Sequence, residues 1–402
     1  TLLIYLLTTV LAISLGLILV NTVKPGKLID EQSRIDNRIS YEIWASSQGH
    51  EIKDGVNYLQ DPKFMRRAQE ISDLTKSELK EASVSDKLET ANKQKQSTPL
   101  QPLIDIVPDN FFYSLSNNGL MLQIIFFAIF FGVCLLFIPA EKAQPVINLV
   151  DSINEVFLKM VDIVMQAAPF FVFALLAGVV SKMAGDDIGK VVEIFKGLSW
   201  YSLTVLSGLL IMIFIVYPAI LKTFVKKITY SGFFKAMSPA QTLAFSTSSS
   251  AATLPVTMEC VEQNLGVNKK VSSFVLPIGA TVNMDGTSLY QAVAVVFLAQ
   301  LHMIDLTIGQ QLTVVLTTTL ASIGSAAVPS AGLVMLIIVL DSVGLNPAWI
   351  AIIFPVDRIL DMFRTVVNVT GDATVCSIIA NGENMLDYSE DKDPTETFEL
   401  DS

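Results

Sequence analysis

Near-continuous apolar runs dominate the chain and predict helices that cross or enter a membrane. They cover residues 2–20, 120–138, 167–180, 201–224, 292–301, 312–327 and 333–340. A helix needs about 20 apolar residues to span a bilayer, so several of these runs are too short to span it alone. Short runs among long ones indicate re-entrant or interrupted helices. The pattern therefore predicts an all-α, multi-pass membrane protein embedded in the lipid bilayer.

A polar stripe interrupts the last apolar region between positions 357 and 372. Its members are spaced by four, three, four and four residues and so share one helical face: Asp357, Asp361, Arg364, Asn368 and Asp372. Each charge in a membrane helix costs roughly 2.5–3.5 kcal/mol, so the group needs partners or a water-filled cavity. A buried structural pair of Asp361 and Arg364 is the alternative, and it leaves Asn368 and Asp372 unexplained. The stripe favours a site for a charged substrate or an ion.

The second half of the chain contains two similar units. In the first, a small-residue stretch at 246–255 precedes an apolar helix with a break at 283–287; in the second, the stretches are 322–332 and 368–372. Small residues let a chain reverse within the membrane, where exposed N–H groups attract an anion. Glycine in each break frees carbonyls that, with Asn and Asp oxygens, suit a small hard cation. A serine run alone is more often a linker, but the repeated order favours binding.

Composition and catalytic motifs narrow the function further. The chain has 402 residues, 51% of them hydrophobic, and its mean hydropathy is +0.54. A net charge of −11 without a basic patch argues against nucleic acid as a partner. The three cysteines and two histidines are too scattered for a disulfide framework or a Cys/His metal cluster. No H-E-x-x-H or G-x-S-x-G motif occurs, which argues against an intramembrane enzyme.

Charges outside the apolar runs indicate the orientation. Most loop lysines fall on one side of the predicted spans, Lys222, Lys226 and Lys270 among them, which marks that side as cytoplasmic. The charged insert at 27–101 then lies outside, and its Ser, Gln, Glu and Lys content predicts a mobile surface loop. The first run starts without methionine or a basic segment. We therefore expect a chain truncated upstream rather than one that begins with a signal peptide.

These motifs resemble those of the glutamate transporter family, the dicarboxylate/amino acid:cation symporters. The likeness rests on S-T-S-S-S-A-A-T-L-P at 246–255, N-M-D-G-T at 283–287 and D-R-I-L-D-M-F-R-T-V-V-N-V-T-G-D at 357–372. It implies the glutamate-transporter fold, with two re-entrant helical hairpins and two interrupted transmembrane helices in inverted repeats. It also implies a homotrimer in the plasma membrane, here a bacterial inner membrane. Two scaffold helices would normally precede the span that contains Tyr5.

The resemblance further implies a domain organisation. The segments would be a transmembrane helix of the transport domain (1–26), the extracellular insert (27–101), scaffold helices (102–183), the rest of the transport domain (184–380) and an acidic cytoplasmic tail (381–402). The last part of the transport domain would hold a helix (200–224), hairpin one (236–266), an interrupted helix (270–301), hairpin two (308–345) and a second interrupted helix (348–380). Hairpin one would face the cytoplasm, and hairpin two would serve as the extracellular gate.

Carried over position by position, the resemblance implies a substrate site. Its members would be Ser249, Ser250, Thr287, Val328, Asp361, Arg364, Thr365 and Asn368. Asp361 would receive the substrate α-amino group and Arg364 its side-chain carboxylate. Backbone at Ser249, Ser250 and Val328 would hold the α-carboxylate, and the other side chains would add hydrogen bonds.

The resemblance also implies sodium as the co-transported ion and as the protein's cofactor. One Na⁺ site would use Gly279, Asn283, Asn368 and Asp372. A second would use Thr281 and the backbone of Ser322, Ile323 and Ser325. A third would use Tyr5, Thr8, Thr9, Asn283 and Asp285.

The chain departs from the family pattern at several positions. Relatives carry an extra arginine where this chain has Ser248 or Met362, and Arg358 lies one turn before Met362. We hypothesise that Arg358 reaches the first tip, the alternative being that it extends to the membrane interface. Gln291 stands where proton- and potassium-coupled animal relatives have glutamate, which favours plain sodium symport.

The charged residues themselves indicate the class of substrate. The fixed fork of an arginine suits a carboxylate, and an aspartate suits an ammonium group, so Arg364 and Asp361 together describe an acidic amino acid. We therefore predict Na⁺-coupled symport of L-aspartate or L-glutamate by alternating access. The alternative is a proton-coupled C4-dicarboxylate symporter, which would accept succinate or fumarate.

Overall fold

The computed structural model describes residues 1–48, 56–71, 107–116, 121–153, 188–323 and 330–388, with isolated positions between 156 and 174. The described residues are mainly helical and contain a single isolated β-bridge, between Val267 and Leu386. The chain divides into two compact units. The first comprises Thr1–Asp30, Val179–Leu301 and Asp305–Ser402, and the second comprises Glu31–Gly178 and His302–Ile304.

The first unit holds the long apolar helices and every residue of the polar stripe. Its α-helices in chain order, with α2 to α4 assigned to the second unit, are α1 (Leu2–Val23), α5 (Ile188–Ile211), α6 (Tyr217–Phe224), α7 (Tyr230–Thr247), α8 (Ser250–Glu259), α9 (Lys269–Val282), α10 (Asp285–Leu301), α11 (Ile308–Ile323), α12 (Ala331–Ser342) and α13 (Ile350–Gly382). Two of its helical stretches, Leu2–Leu28 and Phe195–Phe224, are long and apolar enough to cross a membrane. Helix α10 is buried along its whole length.

A tight reversal joins α7 to α8 at the serine-rich stretch. Ser248 adopts a left-handed conformation with φ 54° and ends α7, and its N–H donates to the Ala244 carbonyl. Ser249 then caps α8, because its hydroxyl accepts from the Ala252 N–H at 3.1 Å. Serine suits position 249, since its hydroxyl satisfies an N–H group that a helix start leaves unbonded. The two helices pack against each other.

The first predicted break lies between α9 and α10. Helix α9 ends at Val282, Asn283 is extended, and α10 begins at Asp285. The interruption puts the side chains of Asn283 and Asp285 at facing helix ends inside the unit, where both are fully buried.

The second predicted break, at 368–372, is wrong. Helix α13 runs for 33 residues from Ile350 to Gly382 without interruption. Gly371 serves close packing instead, because a Cβ there would stand 2.7 Å from Tyr217 Oη and 2.9 Å from Asn283 Nδ2. In a sequence, glycine can indicate either a loosened helix or a close approach of a neighbouring group. Here it indicates the close approach, and the residues on either side of Gly371 are helical.

The second unit corrects the prediction for the charged insert. Its helices include α2 (Glu31–Gln48), α3 (Phe111–Leu115) and α4 (Met121–Leu136). Helix α2 packs a small core, formed by Ile35, Ile39, Ala68 and Ile71. A fully buried pair, Arg38 Nε to Glu42 Oε1 at 2.7 Å, lies beside it. The described part of the insert is thus a folded module and not a mobile loop, because its sparse apolar residues recur at helical spacing.

Candidate functional site

The buried guanidinium of Arg364 forms the centre of the candidate site. Its Nη2 donates to Asp361 Oδ1 at 2.6 Å and to Asp357 Oδ1 at 3.0 Å, and all three side chains are buried on α13. The three are spaced by four and three residues, so they share one face of the helix. The face that the sequence singled out is therefore a closed charge cluster, with two carboxylates around one cation.

Two N–H groups of Arg364 remain without a partner among the described residues. These are Nε and Nη1, both buried. The Tyr290 ring centroid lies 4.0 Å from Arg364 Cζ and supports one face of the guanidinium. A buried donor without a partner costs about 1–3 kcal/mol. Nε and Nη1 of Arg364 can therefore each donate to a further hydrogen-bond acceptor.

The start of α12 packs against Asp361 and Arg364. The Ser330 N–H donates to Asp361 Oδ2 at 2.8 Å, so the residue before α12 holds the second oxygen of that carboxylate. The Gln291 amide donates to the Gly332 carbonyl at 2.8 Å. A Cβ on Gly332 would lie 2.6 Å from the Thr287 methyl carbon and 3.2 Å from Arg364 Nη1. Glycine is required there because the α12 backbone approaches α10 and α13 so closely.

A second polar cluster surrounds Asp285 at the start of α10. Its Oδ1 accepts from Thr9 Oγ1 at 2.8 Å and Thr8 Oγ1 at 3.4 Å. Its Oδ2 accepts from Tyr217 Oη at 2.8 Å. All four side chains are buried. Three neutral hydroxyls thus surround one carboxylate, and three of the four residues, Thr8, Thr9 and Asp285, were expected at an ion site.

Asp372 forms a third cluster with Asn283 and the backbone of α9. Asn283 Nδ2 donates to Asp372 Oδ1 at 2.9 Å, and Thr8 Oγ1 donates to Asn283 Oδ1 at 3.5 Å, which connects this cluster to Asp285. A Cβ on Gly279 would stand 2.5 Å from Asp372 Oδ1. Among the residues that the structure describes, no cationic side chain pairs with Asp285 or Asp372.

Asn368 lies on α13 between Arg364 and Asp372, the centres of the first and third clusters, and it contacts α10. Its Oδ1 accepts from the Gly286 N–H at 2.8 Å. A Cβ on Gly286 would collide with the Arg364 backbone, so α10 and α13 touch backbone to backbone at this point. Thr365 Oγ1 donates to the Asp361 carbonyl at 2.9 Å. Helix α13 therefore carries both Arg364 and Asp372, about two turns apart.

Other predicted site residues are not brought to these clusters by the described contacts. Thr281 is exposed, and its hydroxyl donates within α9 to the Pro277 and Ile278 carbonyls. Ser322 is buried and bonds within α11, and Ile323 is the last residue of that helix. Ser325 and Val328 lie outside the described residues.

The first tip lies at the turn between α7 and α8. Ser249 and Ser250 are buried there, and Ser249 accepts from the Ala252 N–H and the Thr253 hydroxyl. Arg358 Nη1 is buried without a partner among the described residues. Its proposed reach to the first tip stays a prediction.

The structure adds two residues that sequence reasoning did not assign to the site, Tyr217 and Tyr290, and it gives Asp357 a specific partner. Tyr217 bonds Asp285, Tyr290 stacks on Arg364, and Asp357 pairs with Arg364. Asp357 already stood in the polar stripe, so its spacing was an available signal. Tyr217 lies 68 residues from Asp285. No local pattern connects two residues at that distance.

Comparison with known proteins identifies the class. The sequence model of the sodium:dicarboxylate symporter family matches residues 1–381. The chain is 37% identical over 388 residues to excitatory amino acid transporter 3 of Oryctolagus cuniculus, covering 93% of this chain and 70% of that protein. It is 36% identical over 379 residues to an excitatory amino acid transporter of Caenorhabditis elegans, covering 93% and 71%.

The chain belongs to the sodium:dicarboxylate symporter family. The resemblance inferred from the motifs is therefore confirmed, and so is sodium as the co-transported ion at the level of the family. Proteins of this family are membrane transporters rather than enzymes, which agrees with the apolar helices of the first unit.

Proposed function

We propose that this chain is a Na⁺-coupled symporter of an acidic amino acid, L-aspartate or L-glutamate. The observation that carries the proposal is the pair of unpartnered buried N–H groups on Arg364, directly beside the Asp361 carboxylate. Each of these N–H groups can donate a charge-assisted hydrogen bond to a substrate carboxylate. An ammonium group can then bind Asp361. An acidic amino acid carries both groups, and the names of the relatives in rabbit and nematode agree with that class.

Sodium coupling follows from the charge of the second and third clusters. Asp285 and Asp372 are buried and meet only neutral partners in the described part of the chain. A buried carboxylate without a counter-ion is strongly destabilising, so a cation at this position would be held firmly. Hydroxyl, amide and carboxylate oxygens suit a small hard cation. We assign Thr8, Thr9, Asn283 and Asp285 to one Na⁺ site, and Asn283, Asn368 and Asp372 to another.

Substrate binding and Na⁺ binding are coupled through α13 and α10. Na⁺ at Asp285 and Asp372 would fix Asn283 and Asn368, and Asn368 bonds the Gly286 backbone that lies on Arg364. The ions would thereby stabilise the arrangement in which Arg364 accepts substrate. Two contacts hold the start of α12, from the Ser330 N–H to Asp361 and from Gln291 to the Gly332 carbonyl, and they would open and close as the gate in alternating access. A homotrimeric assembly and a bacterial inner membrane stay predictions.

Uptake into liposomes tests this proposal. The full-length protein is reconstituted, labelled L-aspartate is supplied outside, and an inward gradient of either Na⁺ or H⁺ is imposed, with excess succinate as competitor. We expect concentrative uptake that requires Na⁺ and is unaffected by succinate. Uptake driven by H⁺ alone, or abolished by succinate, would instead identify a dicarboxylate carrier.

A further inference from the structure

An open apolar groove lies on the first unit. Its volume is about 500 Å³. It is bounded by the end of the α5–α6 helix, the 225–229 turn and the start of α7, with Phe214, Ile215 and Pro218 on one wall and Tyr230 and Phe233 on the other. None of these residues takes part in the proposed substrate or sodium sites. The groove therefore requires its own explanation.

Local helix geometry explains why the groove exists. Residues Met212–Val216 form a π-helix, in which the Tyr217 N–H donates to the Met212 carbonyl. Pro218 has no N–H for the Phe214 carbonyl one turn earlier, and the widened turn accommodates that loss. The bulge leaves Phe214 48% exposed and Ile215 62% exposed. Both side chains are held at the groove wall and not in the core.

Two cations stand at the rim of this apolar groove. Lys222 and Lys226 line it, and both are exposed. Neither forms an ion pair among the described residues. Helix α7 begins at Tyr230 on the same rim, and the N-terminal end of a helix carries partial positive charge. Charge counting along the chain places these lysines on the cytoplasmic side.

We propose that this groove is a binding site for an anionic phospholipid of the cytoplasmic leaflet. The phosphate headgroup binds Lys222 and Lys226, and an acyl chain occupies the apolar groove along Phe214 and Ile215. A free phosphate ion would leave the apolar walls unfilled, and a zwitterionic lipid would leave the lysine charge unbalanced. The apolar groove matches the acyl chain of an anionic lipid, and the two lysines, which form no ion pair with the described residues, match its headgroup.

Native mass spectrometry of the purified full-length protein tests the proposal. The protein is equilibrated with equal amounts of phosphatidylglycerol and phosphatidylcholine of identical acyl chains, and the retained lipids are counted. We expect preferential retention of phosphatidylglycerol. The double variant Lys222→Gln/Lys226→Gln should lose about 25-fold of that preference, at about fivefold for each lysine near an anionic headgroup.

Two further variants separate charge from shape. Lys269→Gln/Lys270→Gln removes the same charge from exposed residues at the start of α9 and should leave retention unchanged. Ala219→Phe fills the groove from an exposed position and should reduce retention of both lipids while keeping both lysines. Equal retention of the two lipids by the parent, or unchanged retention in Lys222→Gln/Lys226→Gln, would overturn the proposal. A change of oligomer mass in Ala219→Phe would overturn it as well, because the groove would then be covered by protein.

Discussion

Tyr217 Oη lies 2.7 Å from the point where a Cβ on Gly371 would stand, so the missing side chain of Gly371 leaves room for the tyrosine hydroxyl. The same hydroxyl donates to Asp285 Oδ2 at 2.8 Å. Asn283, the partner of Asp372, lies equally close to Gly371. One glycine in the middle of an unbroken helix therefore sets the positions of the groups that hold both buried carboxylates.

The first prediction concerns Gly371→Ala. The added methyl group would push Tyr217 and Asn283 away, and overpacking of a buried site typically costs about 1–3 kcal/mol. We expect Na⁺ affinity to fall by about tenfold or more, as 1.4 kcal/mol corresponds to a factor of ten. Sodium-dependent thermal stabilisation of the purified protein would measure this.

Gly382→Ala is the matched control for that experiment. Gly382 is the last residue of the same helix, and a Cβ there would meet nothing within 4 Å. Its sodium response should equal that of the parent. If Gly371→Ala also behaves like the parent, the close packing around Gly371 has no role in ion binding.

The second prediction concerns Asp361→Asn. Asparagine cannot balance an ammonium group, and loss of one partner of a buried charge pair costs about 3–5 kcal/mol. Aspartate should therefore compete for transport at least about a hundredfold less well. Competition by succinate, which has no ammonium group, should be weakened much less. Competition curves with both ligands give the comparison directly.

A surface acid-to-amide change controls for that variant. Asp305→Asn removes an exposed partner of Lys27, a pair 2.9 Å apart, and pairs of this kind contribute about 0–1 kcal/mol. The ratio of aspartate to succinate affinity should not change. Equal losses of affinity for aspartate and succinate in Asp361→Asn would show that Asp361 does not bind the ammonium group. Asp361 would then be a structural partner of Arg364.

The third prediction concerns the folded insert. Arg38→Ala would leave Glu42 buried without its cation, which destabilises by about 3–5 kcal/mol. We expect residues 31–48 and 56–71 to lose hydrogen-exchange protection and to become sensitive to limited proteolysis. Arg66→Ala is the control, because Arg66 is 95% exposed and pairs with Glu70 only at the surface. Similar protection in the two variants would show that the buried pair does not stabilise the module.

The sequence predicted helices and the polar stripe well, because both depend on local spacing. Asp357, Asp361 and Arg364 do share a buried face of α13. The sequence-based prediction was wrong where one residue type can have two different structural roles. Gly371 could loosen a helix or admit a neighbour, and only the position of Tyr217 decides between them. The prediction of a mobile loop for the charged insert was wrong for a related reason. Composition shows that charged residues are present, but it does not show that Arg38 and Glu42 pair with each other in the interior.

The measurement that tests the central claim most directly is substrate discrimination by Arg364→Ala. Labelled L-aspartate and L-serine are each offered to liposomes with an inward Na⁺ gradient, for the parent and for the variant. We predict that aspartate uptake falls at least about a hundredfold, as expected for a lost buried charge pair, while serine uptake is unchanged or rises. Equal losses for both substrates would contradict the assignment of the Arg364 guanidinium to the side-chain carboxylate.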